Sequence, residues 1–384
     1  MKKVAFIIES LYHGGAEKSL VTLLNLLDYS KMEVDLILFR KGGEFEKFVP
    51  KEINIIYTTS FQRISFPRKL YGRFKYWIIK KILNDKNYHH AQIYWSIFGD
   101  LISSFNKKYD VAIAYNQGFS TYYVAQKLNA DKKFAWLNTD YQKAGYAIQF
   151  DYKFYTSFEK IICVSKENES AFAEANKSIG KSLYTDIIKD ISDELLIKQM
   201  SKEKLDIVLS KDCINILTVG RLAKPKALDL AIEACSILKN KGVKLKWYVI
   251  GEGSERSTLE NAIKNHQLEN DFHLLGYRDN PYPLIKACDI YVQSSLFEGL
   301  GLTVIEAAIL QKPIVSTNFP TASSIITHNE TGLICEMNAN AIADNISIYI
   351  ENLEFKERIV DALSKLKNND KEKSLLAFYD LLLN

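Results

Sequence analysis

Five cysteines stand in the 384 residues, and no two of them share C-x-x-C spacing. Cys163, Cys213, Cys235, Cys288 and Cys335 are scattered, mostly in apolar runs, which argues against a zinc site and for reduced thiols in a cytoplasmic protein. No G-x-G-x-x-G occurs, so the dinucleotide fingerprint is absent and a nicotinamide-dependent reductase is disfavoured. No D-x-D occurs, and His89-His90, His266, His273 and His328 lack metal spacing, so no bound metal is suggested. No apolar run approaches the ~18–20 residues that a membrane-spanning helix needs. The start, Met1-Lys2-Lys3-Val4-Ala5-Phe6-Ile7-Ile8, mimics a leader peptide, but Glu9 ends its apolar run too early. The net charge is +4, too small to imply a nucleic-acid-binding field.

What is present reads as an α/β protein. A chain of this length makes two domains the default. Short apolar runs at 4–8, 34–39, 53–57, 111–115, 134–137 and 161–164 read as strands, with helical periodicity between them. A second series follows at 214–219, 246–250, 272–275, 290–293, 313–316 and 332–335. Alternation of this kind predicts parallel sheets covered on both faces. The expected layout is one doubly wound domain over 1–185 and a second over 186–365. Within it, the strand-poor stretch 177–212 serves as hinge and lead-in. The remainder, 366–384, is expected to form a C-terminal helix that packs back on the first domain.

The candidate chemistry lies at the carboxyl ends of these strands, where doubly wound sheets bind ligands. His13-Gly14-Gly15 ends the first strand and opens a helix. Glycine there suits close approach of a phosphate or sugar, and equally suits a tight turn. Val219-Gly220-Arg221-Leu222, with Lys226 just before a helix, places two cations beside a helix N-terminus. That is a diphosphate site, or two solvated surface cations. Ile250-Gly251-Glu252-Gly253 and Leu275-Gly276-Tyr277-Arg278 end the next two strands and could line a base or ribose pocket. Phe297-Glu298-Gly299-Leu300-Gly301-Leu302-Thr303-Val304-Ile305-Glu306 sets two carboxylates eight positions apart around a glycine turn that opens into a helix. Such a segment can offer backbone N–H groups to an anion and carboxylates to hydroxyls, the two kinds of group that a nucleotide sugar requires.

Residues 61–90 differ in composition. They hold eight Lys/Arg against one acid, Asp85, with seven aromatics interleaved. Leu70, Phe74, Trp77, Ile78 and Ile82 fall on one helical stripe. This is the signature of a basic amphipathic helix that lies on an anionic bilayer. The competing reading is a surface helix that packs its stripe on the sheet and solvates its lysines.

Together, Gly220-Arg221-Leu222 with Lys226, Gly251-Glu252-Gly253, Gly276-Tyr277, Ala287-Cys288-Asp289 and Glu298-x7-Glu306 resemble the family 4 glycosyltransferases. These are retaining, nucleotide-sugar-dependent enzymes of the GT-B fold. The resemblance covers nearly the whole chain, since Gly14-Gly15-Ala16-Glu17 and Val164-Ser165 also match. It implies two Rossmann-like domains facing across a cleft, with the acceptor on the first and a UDP-linked sugar on the second. It implies that Arg221 and Lys226 bind the donor diphosphate, and that Glu306 binds the ribose hydroxyls. Glu298 would sit against the donor sugar. The backbone of Gly299, Leu300, Gly301 and Leu302 would hold diphosphate and sugar. Gly14 and Gly15 would approach the diphosphate, and Tyr277 and Arg278 would flank the base near Gly251.

Two positions depart from the family pattern. Ala227 stands where Gly usually follows the Lys. Asn138 stands where the family commonly has a His against the donor sugar, with Asp140 a spare carboxylate or a cap. Asn can donate and accept hydrogen bonds but takes no proton near neutral pH. The expected activity is metal-independent, retaining transfer to a hydroxyl of a lipid-linked saccharide, at the cytoplasmic face of the cell membrane, in surface polysaccharide synthesis. The alternative is a nucleotide-sugar-binding partner subunit of low activity. No cofactor is implied beyond the nucleotide-sugar co-substrate.

Overall fold

The computed structural model describes residues 1–12, 14–58, 66–82, 88–366 and 370–383. His13 and parts of the basic segment, 61–65 and 83–87, lie outside them. Strands form where the apolar runs are, and both sheets are parallel throughout. The first holds β1 (Lys2–Ile8), β2 (Met32–Leu38), β3 (Asn54–Tyr57), β4 (Phe105–Ala114), β5 (Leu128–Leu137), β6 (Lys160–Cys163) and β7 (Thr185–Ile187), in the order β3-β2-β1-β4-β5-β6-β7. The second holds β8 (Ile214–Val219), β9 (Leu245–Ile250), β10 (Phe272–Gly276), β11 (Ile290–Gln293), β12 (Ile314–Thr317) and β13 (Leu333–Cys335), in the order β10-β9-β8-β11-β12-β13. Val4, Ala5, Phe6, Ile7 and Ile8 are all fully buried, as a strand covered by helices on both faces requires.

Each order reverses direction once, between β1 and β4 and between β8 and β11. At such a switch point the loops leaving the two strands part in opposite directions, and a crevice opens at their carboxyl ends. That geometry decides where a site can be.

Two compact units result. One comprises Met1–Ile191 and Asp370–Asn384, the other Ser192–Asn369. In the first, the helix Asp370–Leu383 lies on the sheet, and its Phe378 ring stacks on Phe6 at 5.9 Å with Trp136 at 5.8 Å. Lys189 pairs with Asp370 at 2.9 Å.

The segment 177–212 is partly regular. It contains the edge strand β7 and a helix, Glu194–Met200, whose N-terminus is capped by the Asp193 side chain. β4 and β5 also begin earlier than their apolar halves suggest. Their first halves alternate polar and half-buried residues, which a search for apolar runs passes over.

Candidate active site

In the second unit, β8 and β11 are adjacent, so the loops that follow them meet at the switch point. The β8 loop carries Gly220, Arg221 and Lys226. The β11 loop carries Ser294, Ser295 and Glu298. Hydrogen bonds to main-chain carbonyls tie the two loops together, with Leu296 N donating to the Pro225 carbonyl at 2.8 Å and Ser294 Oγ to the Lys226 carbonyl at 2.8 Å. Lys226 Nζ and Glu298 Oε1 then form an ion pair at 2.5 Å, with both side chains largely buried.

Glu298 Oε1 receives two further donors, Ser295 Oγ at 2.6 Å and Gln293 Nε2 at 2.9 Å. Gln293 in turn accepts at Oε1 from the Tyr291 hydroxyl at 2.9 Å and from Thr303 Oγ1 at 3.2 Å. Burial pushes the Tyr291 phenol well above its ordinary range, so it stays protonated. Gln293, Tyr291, Ser295 and Thr303 had no assigned role in the sequence. The one signal available was a glutamine closing an otherwise apolar strand, Ile290-Tyr291-Val292-Gln293.

The Glu298 loop runs into the helix Leu302–Ile309. Gly301 occupies its N-cap at φ +80°, and a β-carbon there would stand 2.8 Å from Ile325 Cδ1. No side-chain hydrogen bond caps this helix among the described residues. That leaves its first amide groups available to an anion. Glu306 lies one turn further on, 2% exposed, with the Tyr282 hydroxyl 3.4 Å from Oε1. Arg221 is exposed and has no ion pair among the described residues. Lys226 and Arg221 thus differ: one cation is held by a carboxylate, and the other is exposed with no such partner among the described residues.

The remaining expected residues divide. Gly251 is needed by the backbone, because at φ +148° a β-carbon would collide with the Gly220 carbonyl. Tyr277 follows the end of β10, but the Arg278 guanidinium is engaged with Asp206 at 2.5 Å and with the Leu275 carbonyl at 2.7 Å. Gly299 and Leu300 lie in the loop before the helix, and Leu300 is buried. Gly14, Gly15 and Asn138 belong to the first unit, after β1 and β5. A β-carbon at Gly15 would meet no atom within 4 Å, so internal packing does not demand glycine there. The Asn138 main chain donates to Gln117 Oε1 at 3.1 Å. Both polar atoms of its side chain are buried with no hydrogen-bond partner among the described residues. Asp140 accepts from the Gln142 and Lys143 amides at 3.1 and 3.0 Å, a turn-capping role.

Residues 200–366 match the family Glycosyl transferases group 1. This segment contains every second-unit site residue named above. The chain is 30% identical over 174 residues to an uncharacterized glycosyltransferase of Methanocaldococcus jannaschii, spanning 44% of this chain and 42% of that one. It is 25% identical over 370 residues to a Campylobacter jejuni protein, GalNAc-alpha-(1->4)-GalNAc-alpha-(1->3)-diNAcBac-PP-undecaprenol alpha-1,4-N-acetyl-D-galactosaminyltransferase, covering 94% of this chain and 92% of that one. The first three curated relatives, at 30% identity or more, are matched over only 42, 28 and 34% of their own lengths. Among solved structures, Anabaena HepE in complex with UDP-glucose superposes with a TM-score of 0.68 at 16% identity, covering 100% of this chain and 98% of that one. The fold is GT-B, two Rossmann-like domains.

Proposed function

We propose that this chain is a retaining glycosyltransferase of family 4 that moves a sugar from a UDP-linked donor to a hydroxyl of a lipid-linked saccharide, without a metal. The observation that carries the reading is the Lys226–Glu298 pair at the switch point, with Glu298 in the loop that runs into a helix N-terminus with no side-chain cap among the described residues. In this reading the helix amides, Arg221 and Lys226 hold the diphosphate, Glu306 the ribose and Glu298 the sugar. The bond between the anomeric carbon and the diphosphate oxygen breaks, and the acceptor oxygen bonds that carbon from the same face. The acceptor proton passes to the leaving diphosphate. Charge developing there is met by fixed cations and amide dipoles. The Asn138 amide, buried with no hydrogen-bond partner among the described residues, supports a ligand contact in place of the family's histidine, because it can exchange hydrogen bonds with a sugar hydroxyl.

The names of the relatives support a saccharide acceptor on a lipid diphosphate. The helix Phe66–Ile82, described below, supports a peripheral place on an anionic membrane at its cytoplasmic face. The test is UDP release from a panel of UDP-sugars. The wild type is expected to release UDP slowly without acceptor. Glu298→Gln and Lys226→Ala are each expected to lower the rate by about a hundredfold or more, as loss of a charge-assisted contact in a dry site does. Variants with undiminished turnover would remove the site assignment, and a wild type that binds no UDP-sugar would remove the function.

A further inference from the structure

We propose that Gln293 is the positioning residue that decides which oxygen of Glu298 faces the protein and which faces the donor sugar. The proposal rests on the reading of Glu298 as the sugar-binding carboxylate. Gln293 is 1% exposed at the end of β11. The orientation of its amide is dictated by chemistry: a carboxylate only accepts, so the amide nitrogen must face Glu298. Nε2 accordingly donates both to Glu298 Oε1 at 2.9 Å and to Ser295 Oγ at 2.7 Å. At the other end Oε1 collects the Tyr291 and Thr303 hydroxyls. Turning the amide over would set its oxygen against the Glu298 carboxylate, acceptor against acceptor.

The consequence falls on Glu298. Its Oε1 is saturated by Lys226, Ser295 and Gln293. Among the described residues nothing donates to Oε2, and the side chain retains 12% exposure. Oε2 is therefore the oxygen presented to a sugar hydroxyl, in one fixed direction. Thr303 adds a second connection, because it stands in the first turn of the helix whose amides face the diphosphate. One buried amide thus links the diphosphate end of the site to the sugar end. Without it, Lys226 could draw the carboxylate into other rotamers and the sugar would lose its acceptor while the nucleotide kept its contacts.

The prediction is a split between nucleotide and sugar. With Gln293→Leu, affinity for UDP stays within about twofold of wild type, whereas turnover and the extra affinity of the best-bound UDP-sugar fall about tenfold to a hundredfold, the worth of a lost charge-assisted hydrogen bond. A pH profile gives a second readout. In Gln293→Glu the introduced carboxyl faces Glu298, with Lys226, Tyr291 and Glu306 as the neighbouring charged or titratable groups. When ionised it repels Glu298 and cannot donate. When protonated it donates as the amide did. Turnover relative to wild type therefore recovers as pH falls from about 8 to 6, a recovery that a packing defect does not produce.

Equal losses for UDP and UDP-sugar, or a Gln293→Glu profile parallel to wild type, would overturn the proposal. So would wild-type turnover in Gln293→Leu. If Gln293→Leu does not fold, Tyr291→Phe, which removes one hydroxyl and keeps the ring, should show the same split at smaller size, and its absence there also overturns the idea. A wild type that binds UDP but no UDP-sugar in the panel refutes the donor-site reading and this proposal with it. A wild type that binds the sugar while Gln293→Leu shows no split refutes the positioning role alone.

Discussion

Ala227 is the residue between Lys226 and the helix Leu228–Asn240, and it holds φ 43° and ψ 50°, the left-handed region. For a residue with a β-carbon that conformation costs about 1–2 kcal/mol. Glycine would avoid the cost, at the expense of about 0.4–1 kcal/mol in added freedom of the unfolded chain. Ala227→Gly is thus expected to stabilise the protein by about 0.5–1 kcal/mol, read as a higher midpoint in urea. A lower midpoint would mean that the loop relaxes out of this conformation in solution. The strain was not legible from the sequence, where a small residue in place of another small residue looked trivial. Other residue-level features were hidden for a different reason. Lys226 and Glu298 lie 72 positions apart, and nothing local says that they meet. Arg278 and its partner Asp206 are equally far apart in sequence. The motif residues were legible because each sits at a strand end, which fixes its location. Their partners depended on strand order, which no local pattern encodes.

The helix Phe66–Ile82 shows the same distinction at the level of an element. Its helical character and basic composition could be read from residue spacing. Which face turns inward could not. The helix approaches the neighbouring helix His90–Phe98 through Gly72, where any β-carbon would collide with the Phe98 ring. That contact turns Leu70, Tyr71, Phe74 and Trp77 outward, with Phe74 60% and Trp77 58% exposed and Arg73 and Lys75 beside them. A helix that packs such a stripe on the sheet hides its rings, whereas Phe74 and Trp77 are exposed here and Ile78 is half-buried. For a bilayer-docking element the aromatics enter the interface and each nearby cation adds about 1 kcal/mol. Phe74→Ser with Trp77→Ser, or reversal of Arg68, Lys69, Arg73 and Lys75 to Glu, should weaken sedimentation with anionic vesicles by about tenfold or more. The serine pair should leave thermal unfolding nearly unchanged, because the replaced rings are exposed. Undiminished binding in both variants would end the membrane assignment. Elements that escaped the sequence were the short or half-polar ones, such as β7, whose three residues carry no periodicity.

At the scale of the whole molecule, the alternation of strand and helix made a pair of parallel sheets legible, because buried parallel strands must be apolar on both faces. What the alternation leaves out is the polar cost carried inside. Asp190 accepts from Ser19 Oγ at 2.5 Å, and Ser19 also bonds the Tyr115 hydroxyl at 2.9 Å. Burial pushes the Asp190 carboxyl up from its ordinary 3.8 to about 6, against the opposing effect of the Ser19 bond. The folded protein then retains a proton that the unfolded chain releases. Stability from this group is full below about pH 4, falls as pH rises towards 6, and stays low above. Asp190→Asn keeps the acceptor for Ser19 and removes the titration. It should match wild type near pH 4 and exceed it at pH 8 by up to about 3 kcal/mol in chemical denaturation. An equal gain at both values would assign the effect to something other than the proton. Finally, the helix Asp370–Leu383 has a consequence for biosynthesis. The first unit is interrupted in sequence: Phe6 and Trp136 emerge early from the ribosome, whereas Phe378 follows only after all of Ser192–Asn369 has been made. The second unit can close while the chain is still growing, but the first must wait with part of its aromatic core bare. The unit whose synthesis starts earlier is therefore finished later, and a nascent chain halted before Phe378 is a natural client for a chaperone.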